Sequence, residues 1–396
     1  SLCGMHLDHT PSARDPCASF SRRGKPSFFT RRGKPSFLGD RKRRGVGETD
    51  TGLPRRNHLR SPPMRSVTLL SILLTATGFA SCVVTPKLGG PLPVRNQHPA
   101  QLTVMHLDPA DTAVLPAKQT AWRTDLAYTS LFLNGSNAQG SWFMDGEVLR
   151  AALDARIGLG HGLELGMQLA GSHASGGFLD DFIIDYHDAF GFPDQDRSTS
   201  VNERFLVDAT QGGNSVWTVR ESSAELLDVP IHLTWQILEP GERQFGLALR
   251  GGVELPTGDQ NNGYGNGQLD VALGAVFDYH SHGIGWSGHV QHTFAGTPRP
   301  SRAAGFSFAD VTSIGLGVEL PLTKHLHAIV QAEWETSTLR NLGPQVAARD
   351  QALLWVGGRY RTSPGWSVEV GFGEDLVGLA SPDFTAWLAF IWKPRP

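Results

Sequence analysis

From Trp122 onward, apolar and polar residues alternate at period two over long runs, the pattern of strands with one apolar and one polar face. In EVLRAALDARIGL, Leu149, Ala151, Leu153, Ala155 and Ile157 share one face, and Arg150, Asp154 and Arg156 share the other. GLELGMQLA sets Leu163, Leu165, Met167 and Leu169 opposite Glu164, Gly166 and Gln168. VPIHLTWQI sets Ile231, Leu233, Trp235 and Ile237 against His232, Thr234 and Gln236. The same dyad recurs as far as FTAWLAFIW and yields twelve strands. At roughly 9–11 residues each, they have the length a tilted strand needs to cross a bilayer. Strands of soluble sheets are shorter, about five or six residues.

The connections alternate long and short without exception. Long ones fall at 134–146, 171–225, 256–267, 295–310, 337–351 and 374–383, and short ones at 160–162, 239–242, 281–285, 321–324 and 363–365. Barrels of the bacterial outer membrane sort their loops this way, with tight periplasmic turns and larger extracellular loops. Aromatic residues near strand ends on the apolar phase, among them Trp122, Trp235, Trp286, Trp334, Tyr360 and Trp366, suit interfacial girdles. The predicted fold is an all-β, antiparallel transmembrane β-barrel of about 12 strands over residues 119–393, with a short helix in one long extracellular loop. Closure pairs every backbone group, which the lipid interior demands.

That helix lies in GGFLDDFIIDYHDAFGFPDQDR, Gly176 to Arg197. Phe178, Leu179, Phe182, Ile183, Tyr186 and Phe190 recur at helical spacing, interleaved with Asp180, Asp181, Asp185 and Asp188 and followed by Asp194 and Asp196. By parity the segment is extracellular. Its apolar face is expected to pack on the barrel mouth, to dip into the lumen as a constriction, or to lie on the lipid surface; a helical cap or constriction at the pore mouth is the reading adopted. The aspartates face solvent or hold a divalent cation that bridges lipid phosphates.

With the apolar phase toward lipid, the lumen phase holds Arg123, Asp125, Arg150, Asp154, Arg156, Glu164, Arg250, Glu254, Glu333, Arg359 and Arg361, with His232, Asp270, Asp278, His289, Glu319, His327, Glu335 and Glu369. Two readings stand. One is a polar conduit whose field orients a charged solute. The other is a lumen closed by a network of paired charges, since a lone buried charge is costly.

Charge divides the chain in two. Residues 1–81 carry 15 Lys/Arg against 5 Asp/Glu, and residues 82–396 carry 20 against 33. Residues 1–63 contain RRGKPSF twice and RKRR, read as a non-native or disordered basic leader. At Met64 a short basic region, an apolar run and small residues have the layout of a signal peptide over residues 64–81. Cys82 closes Phe79-Ala80-Ser81-Cys82, which resembles a lipoprotein box; Gly78-Phe79-Ala80 equally suits ordinary cleavage. Residues 82–118 are Pro-rich and read as an irregular periplasmic segment.

Val94-Arg95-Asn96-Gln97-His98-Pro99, together with the Gly176–Arg197 helix, resembles an uncharacterised family of bacterial outer-membrane proteins, a domain of unknown function. The resemblance covers most of residues 92–392. It implies a barrel in the outer membrane and supplies no activity.

The sequence-based reading is therefore a non-enzymatic outer-membrane pore or solute-uptake channel for a small polar or amphipathic solute. Lipid and the outer-membrane assembly machinery are its expected partners, with no nucleic acid and no resident cofactor. A closed structural or assembly barrel is the alternative. A lipid-modifying hydrolase built on His187 with Asp185, Asp188 and Ser172 or Ser175 is the third. The pairs His280/His282 and His325/His327 lack further ligands and read as solvated rim residues.

Overall fold

The structure, a computed structural model, describes residues 88–191, 197–240, 244–363, 365–376 and 380–394. The basic leader, the signal peptide, Cys82, Asp194 and Asp196 lie outside the described residues. Fifteen strands form one antiparallel sheet, and twelve of them close into a barrel.

In chain order these twelve are β1 (Thr120–Ser136), β2 (Gly140–Gly160), β3 (Leu163–Ser175), β7 (Val229–Leu238), β8 (Phe245–Leu255), β9 (Asp270–Ser281), β10 (Ile284–Phe294), β11 (Val311–Pro321), β12 (Leu326–Glu335), β13 (Gln351–Ser363), β14 (Trp366–Asp375) and β15 (Phe384–Trp392). Closure is made by β1 on β15, in register from Trp122↔Trp392 to Ser130↔Phe384. The intervening β4 (Leu206–Gln211), β5 (Asn214–Val219) and β6 (Ser222–Leu226) belong to the long connection after β3. No described helix is long and apolar enough to cross a membrane; strands do the crossing.

Alternation places the side chains as expected. Along β1, Trp122, Thr124 and Leu126 are exposed outward, while Ala121, Arg123, Asp125 and Ala127 are buried inward. Leu126→Arg, midway along the part of β1 that pairs with β15, is expected to cost about 2–4 kcal/mol of barrel stability. A lowered denaturant midpoint for the protein refolded in lipid checks this; an unchanged midpoint would mean that this face meets water.

The short turns follow from backbone geometry. His161 and Gly162 (φ 54° and 77°), like His282 and Gly283 (φ 52° and 76°), occupy two successive left-handed positions. Such two-residue turns match the right-handed twist of the flanking strands.

The long-loop end is a folded dome. β1 and β2 continue past the end of β15, and β4 pairs with the projecting part of β2 from Gly140↔Gln211 to Asp145↔Leu206, with β5 beside it. This projecting hairpin was not visible in the alternation pattern, because both added strands are only six residues long. Leu131, Leu133, Trp142 and Met144 turn inward over the mouth and pack with Val207, Trp217, Phe306, Phe308, Leu339 and Leu342. Trp217 is on β5, and the last four come from the connections that carry α2 (Arg299–Ala303) and α3 (Gln345–Ala348).

Residues 88–119 correct the expected periplasmic leader. They are irregular apart from one 3-10 turn at Gln101–Thr103, but residues 88–115 run inside the barrel. The physical reason is hydrogen bonding: a chain without secondary structure must find partners for its backbone groups elsewhere, and the polar wall supplies them.

Candidate functional site

The lumen is the candidate site, and its occupant is the protein's own chain. An ascending arm enters at the short-turn end. The Glu319 carboxylate on β11 accepts the Gly89 and Gly90 N–H groups at 2.8 and 2.9 Å. Arg359 on β13 donates to Gly90 O at 3.1 Å and to Pro91 O at 3.2 Å. The same guanidinium pairs with Glu319 at 3.0 Å and with Glu369, and His327 Nδ1 lies 2.6 Å from Glu319. A side chain at position 89 would run into Arg359, and Gly90 sits at φ 83° against Asp111 of the other arm, so this doublet fits as glycine.

Higher up, Gln331 on β12 takes both backbone groups of Leu92, accepting its N–H at 3.1 Å and donating to its carbonyl at 3.3 Å. The Leu92 and Val94 side chains pack on Ile329, Leu353, Trp355 and Trp387, all on the luminal phase. At the top, Asn96 donates to Glu335 at 2.5 Å and to Gln351. Arg95 donates to the carbonyls of Gln101 and Val104 and ties the reversal together. His98 lies against Trp142 of the dome with ring centroids 5.4 Å apart, and Ala100 and Val104 join the dome core.

The descending arm returns along the opposite wall. The Met105 N–H goes to Asp270 (3.1 Å) and its carbonyl to the Thr293 hydroxyl (2.8 Å). Leu107 N–H donates to Gln291 at 2.7 Å. The Asp108 carboxylate accepts from Arg123 at 2.6 Å and Gln168 at 3.1 Å, while Arg250 donates to its backbone carbonyl at 2.5 Å. Thr112 gives its N–H to Asp278 (2.6 Å) and takes Gln236 on its carbonyl (3.1 Å). Leu115 N–H reaches Glu164 at 2.9 Å before β1 begins.

Many of the residues assigned to the lumen phase engage this segment or one another. Asp125 bridges Arg123 (3.0 Å) and Arg150 (3.1 Å), Arg150 reaches Gln168, and Arg156 spans Asp154 and Glu164 at 3.3 Å each. Glu333 accepts from Gln331, Glu254 is buried on β8, and Arg361 is half-buried near the short-turn rim. Two cavities between segment and wall, one beside Arg95, Gln101 and Glu335, the other beside Leu107, Arg250 and Gln291, each have room for about one water molecule.

The helix at the loop is found as α1 (Asp180–Phe190), but not at the pore mouth. Phe182 meets Phe384, and Tyr186 meets Phe372 and Phe384, edge to face, while Phe178 stacks on Tyr128. Those wall residues share the outward phase with Trp122, Leu126, Val370 and Phe390, so α1 lies on the outside of the wall. Ile183 and His187 are buried, while Phe178 and Phe182 remain 70% and 52% exposed. Asp181, Asp185 and Asp188 are exposed.

Glu147 on β2 accepts the Phe178 and Leu179 N–H groups at 2.9 and 2.5 Å, a negative charge at the helix N-terminus. Asp180 is engaged by Arg197 (2.6 Å), which also reaches Asp383 (2.7 Å) and lies over the Phe132 ring. Burial pushes the Asp383 carboxyl above its ordinary range, against the pull of Arg197. Ser172, once grouped with His187 for hydrolysis, points to the luminal phase beside Glu225 and is buried there; the wall separates the two. Among the described residues no group of three or more His, Cys, Asp or Glu side chains is placed to hold a metal ion.

Arg197→Ala would strip two buried carboxylates of their shared cation, a loss of about 3–5 kcal/mol at this site. Release of α1 should then admit protease within residues 176–204 while the barrel stays intact. Unchanged proteolysis would contradict this anchor.

Sequence reasoning passed over Leu92, Gln331, Gln291, Trp355 and Trp387. A signal existed: Ile329, Leu353, Trp355 and Trp387 are bulky and apolar on the luminal phase, where a water-filled conduit has no use for them.

A closed twelve-strand antiparallel transmembrane β-barrel with an occupied lumen is the class that these features define. The chain belongs to the family of proteins of unknown function DUF3187, matched over residues 68–393. Among solved structures it is similar to an outer membrane channel from Pseudomonas putida F1 (13% identity over 72% of this chain and 99% of that one, TM-score 0.47). It is similar also to a NanC porin (8% identity, 68% and 99%, TM-score 0.40). A third is the P. putida toluene transporter TodX (8% identity, 76% and 94%, TM-score 0.36). At these values the likeness bears on no residue of the lumen. No curated protein matches the sequence.

Proposed function

We propose that this protein is a non-enzymatic outer-membrane channel held shut in its resting state by its own N-terminal segment. The observation that carries the reading is the path of residues 88–116 through the lumen, bound to wall side chains on both arms. Hydrogen bonds of this kind exchange for water at a small net cost, so withdrawal of the segment would leave a hydrated, charge-lined bore. A wall meant to stay closed has no need of so many charges, because apolar packing closes a barrel at lower desolvation cost. Ala100 and Val104 sit in the dome core, so withdrawal also removes part of the extracellular closure. The two seals move together.

Pro116, Ala117 and Lys118 are exposed at the short-turn end. A protease site built there cuts the folded barrel between segment and β1. Single-channel recording in a planar bilayer should show a silent barrel before cleavage and steady conductance after cleavage and washing. A second reading, a permanently closed barrel, draws on the apolar seat of Leu92 and Val94. It requires silence after cleavage as well.

A further inference from the structure

We propose that the lumen is a binding site for extended polypeptide, with residues 88–116 as its tethered stand-in; this deepens the channel reading above and rests on it. At Gly90, Leu92, Met105 and Thr112 wall side chains take both the N–H and the C=O of one residue. Leu107 N–H and Leu115 N–H are taken in the same way. These contacts read the repeating unit of a polypeptide.

A wall evolved only to hold one segment would gain as much from that segment's side chains. Asn96, Gln101 and Asp108 supply polar contacts of that kind and Leu92 and Val94 an apolar seat, while most of the remaining hydrogen bonds are to backbone. Donors and acceptors are also mixed along the wall: Glu319, Asp270 and Asp278 accept N–H groups, whereas Arg359, Thr293, Gln236 and Gln331 donate to carbonyls. A small anion or cation needs donors or acceptors alone; an extended peptide presents both in alternation. The bore admits two antiparallel passes, since both arms occupy it at once.

The experiment uses the folded protein cut at Pro116–Lys118 and washed, with a synthetic peptide of residues 88–116 added to the short-turn side. The peptide should abolish conductance. The same peptide N-methylated at Leu92, Met105 and Leu107 keeps every side chain but loses three donors, and should block at least about tenfold more weakly. A peptide with Gln97 and Val114 replaced by alanine should block as well as the parent. Equal block by the methylated peptide, or no block by any peptide at an open barrel, overturns the inference and leaves the channel reading standing. Block by succinate in place of peptide assigns the site to small carboxylates and also overturns it. A cut barrel that never conducts overturns the channel reading, and fluorescence-labelled peptide that then fails to bind overturns the inference as well.

Discussion

Replacing Arg359 with alanine is expected to unlatch the ascending arm and to turn a silent barrel into one that flickers open. Arg359 is 4% exposed between Glu319 and Glu369, themselves 3% and 1% exposed. It is the cation paired with both carboxylates and at the same time the donor to Gly90 O and Pro91 O. Its removal leaves charges buried without their partner, a loss of about 3–5 kcal/mol, and frees the carbonyls of the arm where it enters. The cost falls on the plug more than on the barrel, because the strand pairing of β13 with β12 and β14 is made by backbone. Arg359→Lys keeps the charge without the planar fork and should lie between wild type and Arg359→Ala. Bilayer recordings of the three proteins, each first shown to be folded, check the order. Silence of Arg359→Ala would mean that the latch does not hold the segment.

The second large effect is expected on the other arm. Asp108 gathers Arg123, Gln168 and His106 onto one carboxylate. Asp108→Asn conserves shape and removes the charge. Hydrogen bonds to charged groups contribute about 1.5–3 kcal/mol, so the cut segment should leave the Asp108→Asn barrel roughly ten- to hundredfold faster. Arg123 retains Asp125 as a partner, so barrel stability should change far less than the departure rate. Equal departure rates would show that the descending arm is held by its apolar side chains alone.

The barrel was legible because its signal is local and repeated: twelve runs of alternation with loops sorted by length. Helix α1 was legible for the same reason, since Phe182, Ile183 and Tyr186 recur at helical spacing. Its seat was not. An apolar face says that a partner exists, and the partner proved to be the outer surface at Phe372 and Phe384. The clasp that holds it there joins Arg197 to Asp383, 186 residues away, which no local pattern can encode.

Parity alone assigns the charges to the lumen phase. What they face could not be read, because residues 88–116 have no periodicity and their partners are scattered over β1, β3 and β7–β13. Pro91, Pro93, Pro99 and Pro109 mark the segment as irregular, and irregular chain is ordinarily solvated. The exception arises because the wall's carboxylates and amides do the work of water. The clearest sequence trace was Trp355, an apolar bulk on the wrong phase for an open conduit.

The central claim is that the segment fills the lumen. Ala389 is a small luminal residue of β15 at 0% exposure, packed in the cluster that seats Leu92 and Val94. Cysteine occurs only at positions 3, 17 and 82, so Ala389→Cys can be made the one thiol of a background lacking these. The most direct measurement is its reaction with a membrane-impermeant maleimide in lipid, with Lys118→Cys at the exposed turn as the positive control. The account predicts that Cys at 389 stays unlabelled until the segment is cut free and then reacts at a rate approaching that of the control. Prompt labelling of the uncut protein would contradict it.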